Sequence, residues 1–150
     1  MSKESDIQTA AKHLNKEWNV LKTLHYKGDV FKENEKITLK YDVMGLIELF
    51  KYTLDDCGLQ KSQHIIAHIA GFKNWKELLD SDSDSKKFAT KLVKNIKTAQ
   101  RLDEWNNYKD EVANFDSLDI EEKFSIFRLF QMNYNNYPIY DSDMDYLDFD

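Results

Sequence analysis

The last residues of the chain combine carboxylates with aromatic rings. Between Asp141 and Asp150 aspartates recur at intervals of two or three residues, with large apolar side chains among them. This mixture suits neither a buried core nor a purely solubilising tail, although a frayed terminus is the simpler alternative. A basic groove built for nucleic acid would accept it, because the charges lie near phosphate spacing and the rings can enter pockets. We therefore predict that this segment binds a partner protein with a basic surface through Tyr140, Asp141, Asp143, Asp145, Tyr146, Asp148 and Phe149.

Charges of the opposite sign precede this acidic region. Residues 86–101 carry six cations and no acid, whereas residues 102–150 hold thirteen acids against three cations. The cations can meet phosphates in salt-dependent binding, or the acids that follow can neutralise them in cis, and a solvated face is the commonest fate of such a run. The alternative hypothesis is a nucleic-acid-binding regulator that uses the hairpin 62–79 and this basic helix. Its contacts would come from Lys86, Lys87, Lys91, Lys94 and Arg101.

Two histidines have a spacing that metal sites use. His64 and His68 stand four residues apart, where two helical imidazoles can share an ion. No third ligand is evident, and the residues between them lack the glutamate of zinc proteases. The aspartate series at 80–84 and 141–145 also fail as calcium loops, because the sixth position is not glycine. We expect a half-buried histidine pair and no metal site.

The sequence carries no readable catalytic signature. Cys57 is the single cysteine, so an intramolecular disulfide is excluded. It would act as a nucleophile only if His25, His64 or His68 lay beside it in space. No phosphate-binding glycine loop and no nucleophile elbow occur. We therefore expect a binding protein that is not an enzyme and has no cofactor.

The most patterned stretch of the chain is 62–79. Ser62 and Gln63 open an apolar helix, and Gly71-Phe72 is followed by Trp75 and then a leucine. This order resembles the short helical module of some bacterial and plasmid-borne proteins related to the glyoxalase superfamily. The resemblance covers a quarter of the chain at most. It implies a helical hairpin but no activity, because the metal-binding βαβββ unit of true glyoxalases needs more strand than this sequence offers.

The same stretch loosely resembles a DNA-binding helix-turn-helix. Ala67 and Gly71 stand at the spacing that such motifs use. Lys73 and Lys76 are the only cations on its second helix, whereas a reader of base edges presents several polar and basic groups. A hairpin that packs in the core is the favoured interpretation.

Composition favours one helical domain. With 150 residues, of which 41% are apolar, the chain can bury a core without disulfides or metal. Only four glycines and one proline punctuate it, which favours helices joined by short connections. We predict a mostly α, compact bundle of about five or six helices over 1–134, followed by an acidic tail at 135–150. No apolar run approaches the ~20 residues of a membrane span, and no secretion leader is visible, so we expect no membrane contact and a cytoplasmic location.

Capping residues and apolar periodicity place the helices. Ser5 and Gln8 begin a first helix near 5–25, and a small hairpin or a plain loop fits 26–41 equally. Asp42 can cap a helix that runs to Cys57 and stops at Gly58. The remaining expected elements are a helix from Ser62 to Gly71, a helix capped by Asn74, a linker or cap at 81–85, an amphipathic helix from 86 that continues through Val112, and a last helix from Asp119 to about Asn133.

Overall fold

Helices make up nearly all the secondary structure of the computed structural model, which describes residues 5–27 and 39–134. None of these residues forms a strand, which confirms the mostly α prediction. Residues 26 and 27 end the first helix, whereas 28–38, where a hairpin or loop was expected, and the acidic tail 135–150 lie outside the described residues. In chain order the helices are α1 (Asp6–Lys27), α2 (Val43–Leu49), α3 (Leu59–Ile69), α4 (Trp75–Asp80), α5 (Ser83–Asn95), α6 (Ala99–Asp110) and α7 (Ile120–Tyr134), with short 3-10 turns at Leu54–Asp56 and Phe115–Ser117.

Side-chain caps set the N-termini of α1, α4 and α7, where the sequence predicted them. The Gln8 N–H donates to Ser5 Oγ at 3.2 Å, and the Ser5 N–H donates to Gln8 Oε1 at 3.1 Å. At the starts of α4 and α7, the carboxamide of Asn74 and the carboxylate of Asp119 each accept a backbone N–H three residues on, both at 2.9 Å. Each cap satisfies donors that the first helical turn leaves without partners.

The prediction that α2 runs to Cys57 is wrong. The helix ends at Leu49 because Lys51 adopts a left-handed backbone with φ 61°. The Tyr52 N–H donates to the Ile47 carbonyl at 2.8 Å, the hydrogen bond of a Schellman motif. Gly58 is therefore not the stop: its backbone is extended, with φ 175°, and it precedes α3, which begins at Leu59 and not at Ser62.

Gly71 ends α3 as expected. Its φ is 93°, which favours glycine, and the Phe72 N–H donates to the Ala67 carbonyl at 2.9 Å. Phe72 and Trp75 then pack against the core from the partly buried shell around it. The hairpin predicted for 62–79 is confirmed, since α3 and α4 are in contact.

The single basic helix predicted for 86–101, with its continuation through Val112, is wrong. Ile96 is extended (φ −103°, ψ 108°) and fully buried, which breaks the chain into α5 and α6. Thr98 then caps α6 by accepting the Arg101 N–H at 3.0 Å. This break brings the number of α-helices in the described residues to seven, against the five or six expected.

The core is continuous and rich in rings. α1 packs on α3 and α5, and α7 packs on α5 and α6. Trp105 of α6 lies edge-on to Phe127 of α7, with ring centroids 5.0 Å apart. Phe88 of α5 meets Phe124 in the same geometry at 5.5 Å, the arrangement that ring quadrupoles prefer.

One buried carboxylate ties α1 to the chain that precedes α2. Glu17 is 7% exposed, and it accepts the backbone N–H groups of Lys40 at 2.6 Å and Tyr41 at 2.9 Å. His13 Nε2 lies 3.0 Å from the same carboxylate. Burial, and secondarily the charge of Glu17, raise the pKa of Tyr41 to about 12.

Candidate partner-binding site

A pocket of about 460 Å³ opens where the α3–α4 turn, the start of α5 and the α6–α7 connection meet. Its size falls within the range of about 300–1,000 Å³ that ligand pockets occupy. Its apolar lining includes Phe72, Phe88, Leu92, Phe115, Leu118 and Ile120. The pocket therefore offers an apolar floor to a ligand or a partner side chain.

The floor of the pocket is held by aromatic packing. Phe88 and Phe115 are 7% and 8% exposed, and their ring centroids lie 6.0 Å apart. Trp105 supports Phe115 from behind with an edge-on contact at 5.7 Å. Because these rings are locked by the core, the floor is preorganised.

Carboxylates dominate the rim. Asp82 and Asp119 are fixed as helix caps, with Asp82 Oδ1 accepting the Ser85 N–H at 2.7 Å. The hydrogen bond from the Ser85 backbone, then that from its side chain, hold the pKa of Asp82 below its usual value, and the charge of Lys123 adds to this. Asp84 and Asp116 complete a set of four exposed carboxylates.

Two lysines partly neutralise the negative charge of this rim. Lys109 and Lys123 line the same pocket, and Lys123 Nζ lies 5.6 Å from the centroid of the Phe115 ring. Four carboxylates against two ammonium groups leave the rim with two net negative charges. The chemistry that complements it is a cationic group next to an apolar anchor.

No local pattern in the sequence indicates this pocket. The stretch 81–85 was assigned to a linker or cap and the amphipathic helix was started at 86, whereas Asp82 caps a helix that already begins at Ser83. The available signal was that the cap region 81–85 and the predicted cap Asp119 each precede a phenylalanine-bearing helix. Asp82 and Asp119 meet at one opening because of how α5 packs against α7. No local sequence pattern predicts that packing.

All seven residues predicted to bind a partner, from Tyr140 to Phe149, lie outside the described residues. The five basic residues of the alternative nucleic-acid-binding hypothesis lie within the part of the chain that the structure describes. Lys87, Lys91 and Lys94 lie on the side of α5 opposite the buried Phe88, Ala89, Leu92 and Val93, whereas Lys86 is exposed at the edge of the buried face, beside Val93. Arg101 belongs to α6 instead, where its guanidinium lies 3.2 Å from Glu104 and 5.6 Å from the ring of Phe130.

The helix-turn-helix component of that alternative gains no support. The second helix, α4, has only six residues. Beside Lys76 it exposes Glu77 and Asp80, which would repel phosphates. A recognition helix needs more length and more cations than this.

His64 and His68 form part of a ring cluster. Their centroids lie 4.5 Å apart, and Phe50 meets His68 edge-on at 5.2 Å. Burial, then the charge of His64, lower the pKa of His68, partly offset by a hydrogen bond with the Lys73 backbone. Both imidazoles are half-buried, as expected.

Metal and thiol chemistry find little support in the described ranges, 5–27 and 39–134. Within them no group of three or more His, Cys, Asp or Glu side chains is placed to hold a metal ion. The Cys57 thiol faces Asn15, with Sγ 3.6 Å from Oδ1, and burial raises its pKa, partly offset by Lys22. A raised pKa disfavours the thiolate that a nucleophile needs.

Comparison of the chain with protein families, with curated proteins and with solved structures finds no match. No helix in the part of the chain that the structure describes is both long and apolar enough to cross a bilayer.

Proposed function

We propose that this protein is a non-enzymatic binding protein whose acidic C-terminal part contacts a basic surface on a partner protein. The observation that carries the proposal is the acid-rimmed aromatic pocket. It repeats, in the folded body, the combination of carboxylates and apolar groups that the segment 135–150 has in sequence. A partner that presents cations around an apolar side chain would complement both.

The distribution of charge supports the same proposal. Residues 5–27 and 39–134 contain eighteen Lys or Arg and eighteen Asp or Glu, whereas residues 135–150 add five aspartates and no cation. Net negative charge concentrated at one end of a chain speeds association with a basic surface and selects against acidic partners. If the partner surface normally holds nucleic acid, this protein would act as its inhibitor, as antitoxins and anti-defence proteins of phages and mobile elements do.

The test uses a fluorescent peptide of arginines around one central tryptophan, titrated at low and physiological salt. We expect the full-length protein to bind it, and a chain ending after Asn136 to bind it several-fold more weakly. The double variant Asp84→Asn/Asp116→Asn should also bind more weakly, because these carboxylates form the rim without capping a helix. Asp103→Asn/Asp110→Asn removes the same charge from exposed positions of α6 outside the pocket, and is the matched control.

Two outcomes would overturn the proposal. One is peptide binding that neither the truncation nor the rim variant reduces beyond its control. The other is that the full-length protein does not bind the peptide but binds duplex DNA at micromolar affinity with a steep salt dependence.

A second candidate function has one specific observation in its favour. Lys87, Lys91 and Lys94 share the side of α5 that faces away from the core, with Lys86 exposed at its edge, an arrangement that suits sequence-independent contact with phosphates. On this hypothesis the protein is a nucleic-acid-binding regulator, and Lys86→Gln/Lys87→Gln should reduce the salt slope of duplex binding by about two. An unchanged slope would remove this candidate.

A further inference from the structure

A second pocket, of about 210 Å³, lies between the N-terminal half of α1 and the C-terminal half of α5. It is smaller than the ~300–1,000 Å³ typical of pockets for drug-sized ligands, which favours a compact occupant. Four nitrogen-bearing side chains from three parts of the chain line it: His13, Lys40, Lys94 and Lys97.

The carboxylates near this pocket already have partners. Asp6 lies 3.2 Å from Lys94 Nζ at the rim, in an exposed ion pair that solvent and salt weaken. The two Glu17 oxygens accept the N–H groups of Lys40 and Tyr41, and His13 contacts one of them. Backbone donors and His13 thus occupy the Glu17 carboxylate, although its charge still acts on Lys97.

Lys40 and Lys97 line the same pocket, and the charge of Lys40 acts on Lys97. Neither forms an ion pair within the described part of the chain. Burial lowers the pKa of Lys97, the charge of Lys40 lowers it further, and Glu17 offsets this only in part. Hydrogen bonds hold the backbones of this region in place, since the Asp42 N–H donates to the Lys97 carbonyl at 2.9 Å and the Lys40 N–H donates to Glu17 at 2.6 Å.

We propose that this pocket binds a phosphate group, as inorganic phosphate or as a small phosphate monoester. A dianion placed between Lys40 and Lys97 would compensate both ammonium groups, with Lys94 and His13 as further donors at the mouth. Lys40 and Lys97 bring two like charges to this pocket, and Glu17 offsets them only in part, so a bound dianion is favoured. This site is independent of the acid-rimmed pocket and of the proposed function.

The test is a titration of the full-length protein with inorganic phosphate, with chloride at equal ionic strength as the reference. Binding is followed by the backbone amide resonances of Lys40, Tyr41 and Lys97. We expect saturable shifts confined to these positions and their neighbours, and a rise in Tm with phosphate that chloride does not produce. Adenosine 5′-monophosphate against adenosine distinguishes a phosphoryl group on a larger molecule from the free ion.

Variants assign the binding to these lysines. Lys97→Met keeps the aliphatic stem and removes the charge, and should weaken phosphate binding about tenfold, the usual scale for a lost charge-assisted hydrogen bond. Lys40→Met tests the same pair from an exposed position if the first variant folds poorly. Lys76→Met, an exposed lysine on α4, should bind like the wild type. Equal effects of phosphate and chloride, or equal binding by wild type and both pocket variants, would overturn the proposal.

Discussion

Glu17 offers the sharpest test of how this fold is held together. Replacing it by glutamine keeps the volume of the side chain, so no cavity forms, but one of its two acceptor oxygens becomes an NH₂ group. Three donors converge on this carboxylate, and the backbone N–H groups of Lys40 and Tyr41 contact different oxygens. The glutamine can therefore satisfy one of these two amides and turns a donor toward the other.

The loss of stability expected for Glu17→Gln follows from these contacts. A hydrogen bond to a charged group contributes about 1.5–3 kcal/mol, and a buried donor left without an acceptor costs about 1–3 kcal/mol. We expect Glu17→Gln to lower the free energy of unfolding by about 2–4 kcal/mol, out of the ~5–15 kcal/mol typical of small domains. Glu17→Ala should cost more, because it removes both acceptors and leaves a void.

Urea unfolding measures the effect, with an unchanged m-value showing that only stability has changed. Glu48→Gln, at an exposed position of α2, is the matched control and should change the free energy of unfolding by less than about 0.5 kcal/mol. Amide hydrogen exchange at Lys40 and Tyr41 should accelerate in the Glu17 variant. A variant within 0.5 kcal/mol of the wild type, with these amides still protected, would refute the reasoning.

Three further predictions concern single residues. Lys51→Gly should raise, and Gly71→Ala should lower, the free energy of unfolding by about 1 kcal/mol each, because both positions are left-handed; opposite signs in chemical denaturation are the check. The pKa of His68 lies below 6.5 in the folded state, so the unfolded chain binds that proton at a higher pH than the folded chain does. The free energy of unfolding should therefore fall as the pH drops from about 7 through the depressed pKa. His68→Gln should flatten this decline, and an unaltered pH profile of stability would contradict the lowered pKa. Burial raises the pKa of Cys57, so iodoacetamide should alkylate it more slowly at pH 8 than free cysteine, and equally fast once the chain is unfolded in urea. Rapid labelling of the native protein would count against a partly buried thiol with a raised pKa.

The starts of α1, α4 and α7 were predictable because their causes are local, whereas α3 and α5 each begin three residues before the predicted position. Asn74 and Asp119 cap α4 and α7 through the N–H three residues on, and a reader of the sequence sees both members of each pair. Helix ends were harder. Lys51 takes the left-handed position that the sequence assigned to Gly58, because the Schellman hydrogen bond and the packing after α2 outweigh the strain at a non-glycine residue.

The sites depended on tertiary contacts. The lysines of α5 could be recognised in the sequence, but the helix break that separates them from Arg101 could not. That break arises because Ile96 is buried. The acid-rimmed pocket and the Lys40–Lys97 pair each join residues more than thirty positions apart, and only the packing of α5 against α7 and α1 brings them together.

The contact between Glu17 and the 40–41 backbone has an evolutionary consequence. It fastens the chain again immediately after residues 28–38, so the length of that stretch is not what holds α2 in register with α1. A side chain at position 17 without two acceptor oxygens would leave one of these two backbone N–H groups without a partner. We therefore expect descendants of this gene, and engineered variants that keep the stability of the fold, to retain a glutamate there.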